Sequence, residues 1–149
     1  MKNNFLNPVR KDIFSNGIKF IFLIITGLIL PLILIPVVKL TGFSEIIEEI
    51  SKALAVLFLI FRFSTLKQKI KAGILFGFLF GLSESIFYLN NIFQVGDFSI
   101  FWQRFLWTVP MHIITVLVIL LPAFKNRKMI ILGIIGAIII HLLFNNLIA

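Results

Sequence analysis

The chain has 149 residues, of which 60% are hydrophobic and 13% are charged, and its mean hydropathy is +1.10. This composition excludes an ordinary soluble domain and indicates an integral membrane protein. There is no cysteine, which excludes disulfides, thiolate metal sites and a cysteine nucleophile. The net charge of +8 does not indicate nucleic-acid binding, because the basic residues cluster between apolar segments, where membrane orientation explains them.

Five apolar segments have roughly the 20 residues that a membrane-spanning helix needs. The sequence therefore predicts an all-α polytopic membrane helix bundle of about five transmembrane helices in a lipid bilayer. Because no linker or internal repeat divides the chain, residues 1–149 are expected to form a single integral membrane domain. The predicted spans cover residues 18–38, 46–64, 70–92, 98–121 and 129–148.

The Lys and Arg residues predict the orientation of this bundle, because cytoplasmic loops retain positive charge. Most of the 14 basic residues fall on one side, whereas the loops of the other side hold only Lys39. A multi-pass protein of the cell membrane is therefore expected, with its N-terminus in the cytoplasm and its C-terminus outside. The residues assigned to the cytoplasmic side are Lys2, Arg10, Lys11, Lys19, Arg62, Lys67, Lys69, Lys71, Lys125, Arg127 and Lys128.

The second span begins with a charged stripe, EIIEEISKAL, at residues 45–54. At about 100° per residue, Glu45, Glu48, Glu49 and Lys52 share one helical face. The i,i+4 spacing of Glu48 and Lys52 predicts an ion pair, which leaves Glu49 available for chemistry. Glu45 is expected to lie among headgroups at the helix mouth, where the helix dipole favours it. Ionisable groups deeper in the hydrocarbon normally face a polar interior.

Three further spans carry polar side chains that match this stripe. Glu84 shares a face of the third span with Gly77 and Gly81, and small residues let helices approach closely. Glu84 is therefore expected to point into the bundle. The fourth and fifth spans supply the remaining polar residues, Arg104, His112, His141 and Asn145. The expected depths of these residues let the set meet in one cavity that opens toward the outside.

Carboxylates, two imidazoles and an amide, without a Cys or a recognisable Ser nucleophile, suit the activation of water. A carboxylate can take the proton as general base while imidazole or amide N–H groups stabilise the oxyanion. Alternatively, a divalent metal ion such as zinc can be held by candidates among His112, His141 and Glu84, with a second glutamate as base. No HExxH motif favours the metal, so both mechanisms stay open. Both end in amide hydrolysis.

Four motifs, each on its own predicted span, resemble those of the PrsW family of intramembrane proteases. EEISK at residues 48–52 is similar to that family's EExxK motif, and FGLSES at 80–85 is similar to its second, glutamate-bearing motif. RFLWTVPMH at 104–112 and HLLFN at 141–145 resemble its two histidine-centred motifs. The resemblance covers about residues 45–146, which form the motif-bearing core.

The resemblance implies a fold related to the CAAX-processing and bacteriocin-processing membrane proteases, and hydrolysis of a peptide bond in a membrane-anchored protein or peptide. It also implies that Glu48 or Glu49 activates water and that Asn145 occupies the oxyanion-side position. One departure is Ser85, where the family's motif is expected to have Asn. The residues that complete the implied site are Glu84, His112 and His141, with Lys52 and Arg104 as supporting residues.

Two other functions fit the same residues. A transporter or proton-relay protein also uses intramembrane Glu, His and Arg. Five helices without a visible repeat do not match the usual transporter plan, however. A non-catalytic membrane helper is expected to have lost a motif residue, and none of the main ones is missing.

Overall fold

The computed structural model describes residues 8–95 and 98–147, and this part of the chain folds into five α-helices and one 3₁₀ turn. The predicted all-α bundle is confirmed, and every predicted span overlaps one helix. The helices are α1 (Pro8–Thr41), α2 (Ser44–Arg62), α3 (Leu66–Val95), α4 (Phe98–Lys125) and α5 (Ile130–Leu147), and the 3₁₀ turn is Arg127–Met129.

Four of these helices, α1, α3, α4 and α5, contain stretches that are long and apolar enough to cross a bilayer. α2 differs from them because its first half carries three glutamates and a lysine. The other helices cover this charge, and the side chains of Glu49 and Lys52 have no exposed surface. α2 therefore lies within the bundle with its charged face turned inward, as the cost of charge in lipid requires.

Short connections place consecutive helices side by side. α1 ends at Thr41, and the next residue, Gly42, has a φ of +74°, a conformation that glycine adopts without strain. The Gly42 N–H donates to Val38 O at 2.8 Å. α3 begins with a capping box, in which Thr65 Oγ1 accepts from the Gln68 N–H and Gln68 Oε1 accepts from the Thr65 N–H. These turns make neighbouring helices antiparallel, so α1 and α3 run in the same direction.

Glycines set the close approach of α3 to α4. A Cβ atom added at Gly77 would lie 2.7 Å from Ile113 Cα, and one added at Gly81 would lie 2.8 Å from Val109 Cα. Only a residue without a side chain fits at either position. The predicted role of the glycine stripe is thus confirmed, and it brings the polar residues of α3 and α4 within contact distance.

The apolar core and the polar cluster occupy different depths of the bundle. Leu59, Phe63, Phe76, Ile119 and Ala123 belong to the buried apolar core near the end where α2 stops and α3 starts. The buried polar cluster lies closer to the other end of the bundle, where α1 stops and α2 starts. It contains the buried carboxylates, the lysine and the histidines. Many large apolar side chains on the outside are exposed, as expected for helices that face lipid.

Candidate active site

Lys52 of α2 lies at the centre of the buried polar cluster. Its Nζ lies 2.6 Å from Glu49 Oε1, 2.6 Å from His112 Nδ1 and 3.4 Å from Thr115 Oγ1. The same nitrogen lies 4.7 Å from the centre of the Phe80 ring. Because a buried ammonium group is costly without compensating partners, these contacts are what allows Lys52 to lie inside the bundle.

The structure pairs Lys52 with Glu49, so the predicted ion pair between Lys52 and Glu48 is wrong. Both spacings bring side chains together on a helix, and the surrounding helices therefore decide between them. Glu49 faces α5, where His141 Nδ1 lies 2.8 Å from the same oxygen that Lys52 contacts. Glu48 instead lines a cavity beside α1 and α3. Of the two neighbouring glutamates of α2, Glu48 is therefore the one that lines the cavity.

His112 of α4 joins the charged stripe of α2 to Glu84 of α3. An ammonium group can only donate hydrogen bonds, so His112 Nδ1 accepts from Lys52. The proton of the neutral ring then lies on Nε2, which donates to Glu84 Oε2. Both ring nitrogens are thus engaged, and the orientation of the imidazole is fixed from two sides. His112 is fully buried, whereas Glu84 retains some exposed surface.

A cavity of about 340 Å³ adjoins this cluster. Glu48 and Glu84 contribute its carboxylates, and apolar side chains of α1, including Leu34 and Ile35, form the opposite wall. Its size lies within the usual range of small-ligand and substrate pockets. The cavity therefore offers space for water and for part of a substrate directly beside the two carboxylates.

Three side chains in and beside this cavity could hold a metal ion. One ligand atom from each of Glu48, Glu84 and His112 lies within 4.8 Å of the other two. Glu48 Oε2 is buried and has no hydrogen-bond partner in the described part of the chain. This potential metal-ligand atom is therefore left without an interaction. The group shares two residues with the predicted metal candidates, but the structure places Glu48 where His141 was expected. His141 turns its Nδ1 to Glu49 instead.

Two of the predicted site residues, Asn145 and Arg104, lie outside the group of possible metal ligands, which we call the donor group. Asn145 Nδ2 donates to Glu45 Oε1 at 2.8 Å, across α5 and α2. Glu45 is partly exposed, as expected at the helix mouth, but it also holds the Asn145 amide. The guanidinium carbon of Arg104 lies 4.1 Å from the centre of the Tyr88 ring. Arg104 therefore reaches the cavity wall through Tyr88, a residue that lines it.

The sequence prediction missed Thr115 and Tyr88. Thr115 lies three residues after His112 and Tyr88 lies four residues after Glu84, so helical spacing alone could have indicated both. Ser85, the departure from the family's motif, donates to Gly81 O within its own helix at 2.8 Å. That hydroxyl therefore does not depend on the polar cluster for a hydrogen bond.

Comparison with known proteins bears on these observations. The chain matches the sequence model described as "PrsW family intramembrane metalloprotease" over residues 24–149. No curated protein and no solved structure matches the chain. The matched range includes all four motif-bearing helices and most of the chain, and four apolar helices place the protein in a membrane. The chain therefore belongs to the PrsW family of intramembrane metalloproteases.

Proposed function

We propose that this integral membrane protease hydrolyses a peptide bond of a membrane-associated protein with water activated by Glu48. The observation that carries the proposal is the position of Glu48, whose carboxylate lines the cavity and retains a buried oxygen without a partner. A carboxylate that lines a cavity of this size can accept the proton of a water molecule in the cavity. The carboxylate thus acts on the side where a substrate has room to bind.

Glu49 receives a different role, that of a positioning residue. One of its oxygens is shared between Lys52 and His141, and the whole side chain is buried. If Glu49 accepted a proton from the attacking water, its interactions with Lys52 and His141 would both weaken. Glu49 is therefore a poor candidate for the general base. Its charge instead stabilises Lys52, which in turn orients His112.

Glu84, His112 and Glu48 are the residues that would hold a divalent metal, and Glu48 would then act as a ligand instead of as a free general base. Such a metal, when bound, lowers the pKa of a coordinated water and polarises a carbonyl group. Ligation through Nε2 of His112 requires the ring proton to lie on Nδ1, the atom that now faces the Lys52 ammonium.

The Asn145 amide is proposed to donate to the oxyanion of the tetrahedral intermediate. Asn145 donates one N–H to Glu45, which fixes the orientation of the amide and leaves its second N–H for another acceptor.

We further propose that the N-terminus is cytoplasmic and the C-terminus outside, from the distribution of Lys and Arg. The cavity then opens toward the outer side of the membrane.

The two glutamate roles are tested by comparing Glu48→Gln with Glu49→Gln in purified protein reconstituted with a single-span substrate. Glu48→Gln is expected to lower kcat by about 10² to 10⁴, the usual size of general-base catalysis, without a change in unfolding temperature. Glu49→Gln is expected to lower both activity and unfolding temperature, because it leaves Lys52 without its counter-charge. Full activity of Glu48→Gln would sink the proposal.

Elemental analysis of the same proteins separates the two forms of water activation. If a metal assists, the wild type holds about one equivalent, chelator removes it with activity, and His112→Ala fails to bind it. If no metal assists, the wild type stays active in chelator while Glu48→Gln remains impaired. His141→Ala is the matched comparison, since the structure places His141 on Glu49 and outside the donor group.

A further inference from the structure

Lys39 lines the cavity that contains Glu48 and Glu84. Most other basic residues lie at the opposite end of the bundle, while Lys52 contacts Glu49 and Arg104 lies over Tyr88. Among the described residues, no ion pair joins Lys39 to either cavity carboxylate. The cavity thus has two carboxylates at its inner part and an unpaired ammonium group farther along α1.

The helix dipole explains why a lysine occurs in the last turn of α1. It does not explain why Lys39 lies on the side of α1 that borders the cavity. A cation near a helix C-terminus interacts favourably with the helix dipole on any side of the helix. Exposed faces of α1 were available, and Leu40 and Val37 occupy them with apolar side chains. Lys39 is itself exposed, but it lies on the side of α1 that it shares with Ile35, one turn earlier, and it lines the cavity.

We propose that Lys39 binds a carboxylate of the substrate, so that the cavity selects protein segments with an acidic residue near the scissile bond. The inference rests on the proposed proteolysis beside Glu48 and specifies which substrates that site takes. Because Lys39 is exposed, solvent screens its charge, and its attraction for a substrate carboxylate is expected to be modest and to weaken with added salt.

The helices provide a measure of the distance between this acidic residue and the scissile bond. Ser83 Oγ donates to Leu28 O at 2.7 Å, so Glu84 lies at about the level of Pro31 on the parallel helix α1. Lys39 lies eight residues farther along α1, which corresponds to about 12 Å at 1.5 Å per residue. An extended peptide covers that distance in roughly three or four residues.

The wall between these two points is apolar. Leu34, Ile35 and Val38 of α1 and Phe87 of α3 line it. Apolar substrate residues are therefore expected between the scissile bond and the acidic residue, because burial of unpaired polar groups there is unfavourable. The recognised segment is an apolar membrane-boundary sequence that ends in Asp or Glu toward the end of the bundle where α1 stops.

The test uses full-length protein and a series of single-span substrates that carry Asp, or matched Asn, at each of several positions on both sides of the scissile bond. The wild type is expected to favour Asp over Asn by roughly fivefold in kcat/KM near the third or fourth position, which corresponds to about 1 kcal/mol, the upper end for an exposed ion pair. Lys39→Gln should abolish this preference. Lys39→Glu should reverse it, so that Asn substrates are cleaved faster than Asp substrates at that position.

Lys128→Glu is the matched control, because Lys128 is exposed and lies in the 3₁₀ turn at the opposite end of the bundle. It should keep the wild-type preference for Asp. An Asp-to-Asn ratio near one at every position, or an unchanged ratio in Lys39→Gln, would overturn the inference while leaving the proposed proteolysis intact.

Binding of the same peptides to Glu48→Gln protein separates recognition from catalysis. A preference for Asp peptides that disappears in Glu48→Gln/Lys39→Gln supports the carboxylate site, even if the wild type cleaves no member of the series. Equal binding of Asp and Asn peptides overturns it, whatever the cleavage assay shows. Failure of the proteolytic assignment and failure of the specificity inference therefore give different results.

Discussion

The Lys52→Met substitution tests whether the buried ion pair of α2 holds the site together. Methionine replaces the apolar part of the lysine side chain with one of similar length but removes the ammonium group that lies 2.6 Å from Glu49 Oε1. Glu49 then keeps only His141 as a partner, and its second oxygen already has none within the described residues. Removal of one member of a buried pair typically costs about 3–5 kcal/mol of unfolding free energy.

The double variant Glu49→Gln/Lys52→Met shows whether this cost comes from the uncompensated charge. Removing both charges together leaves neutral side chains of similar size, which is often nearly neutral for stability. We expect the double variant to be more stable than Lys52→Met alone, with a coupling energy at the upper end of the usual range of about 0.5–3 kcal/mol. The measurement is reversible unfolding in mixed micelles, followed by the circular dichroism of the helices.

Lys71→Met is the control for this experiment, because Lys71 is an exposed lysine of α3 away from the cluster. It should change the unfolding free energy by less than about 0.5 kcal/mol. The reasoning fails if Lys52→Met stays within about 1 kcal/mol of the wild type, or if the double variant costs as much as the two single changes added together. Lys52→Met should also reduce activity, since His112 loses the donor that fixes its ring.

Three further predictions concern packing, the oxyanion side and topology. Gly77→Ala should destabilise the fold by about 1–3 kcal/mol and impair activity, because the added methyl group meets the α4 backbone; Gly73→Ala meets only the end of the Leu120 side chain and should cost less, so equal losses would contradict the close-packing argument. Asn145→Ala should lower kcat by about 10² to 10³ with little change in KM. Glu45→Gln should keep most activity, because the amide oxygen of the new glutamine still accepts from Asn145. An equally severe loss in both variants would refute the division of roles. A reporter fused to the C-terminus should be active only outside the cytoplasm, and cytoplasmic activity would overturn the proposed orientation.

The match between the glycine stripe and the polar motifs shows how far helical spacing alone can locate a site. Gly77, Gly81 and Glu84 share a face of α3, and the structure packs that face against α4, where His112 lies. The spacing of residues along a helix is fixed by its geometry, so the sequence was sufficient to group these residues. The charged residues of α2 were grouped on one helical face for the same reason.

The composition and the motif order of the sequence determined that this protein is a helical membrane bundle with its polar residues turned inward, because lipid leaves charged groups no other stable place. Only the tertiary structure decided the partners within that interior. Spacing allowed Lys52 to pair with Glu48 or Glu49, and the presence of His141 beside Glu49 and of a cavity beside Glu48 made the choice. A helix face can be read from local geometry, but its neighbours depend on how separate helices pack against one another, which periodicity within one helix does not specify.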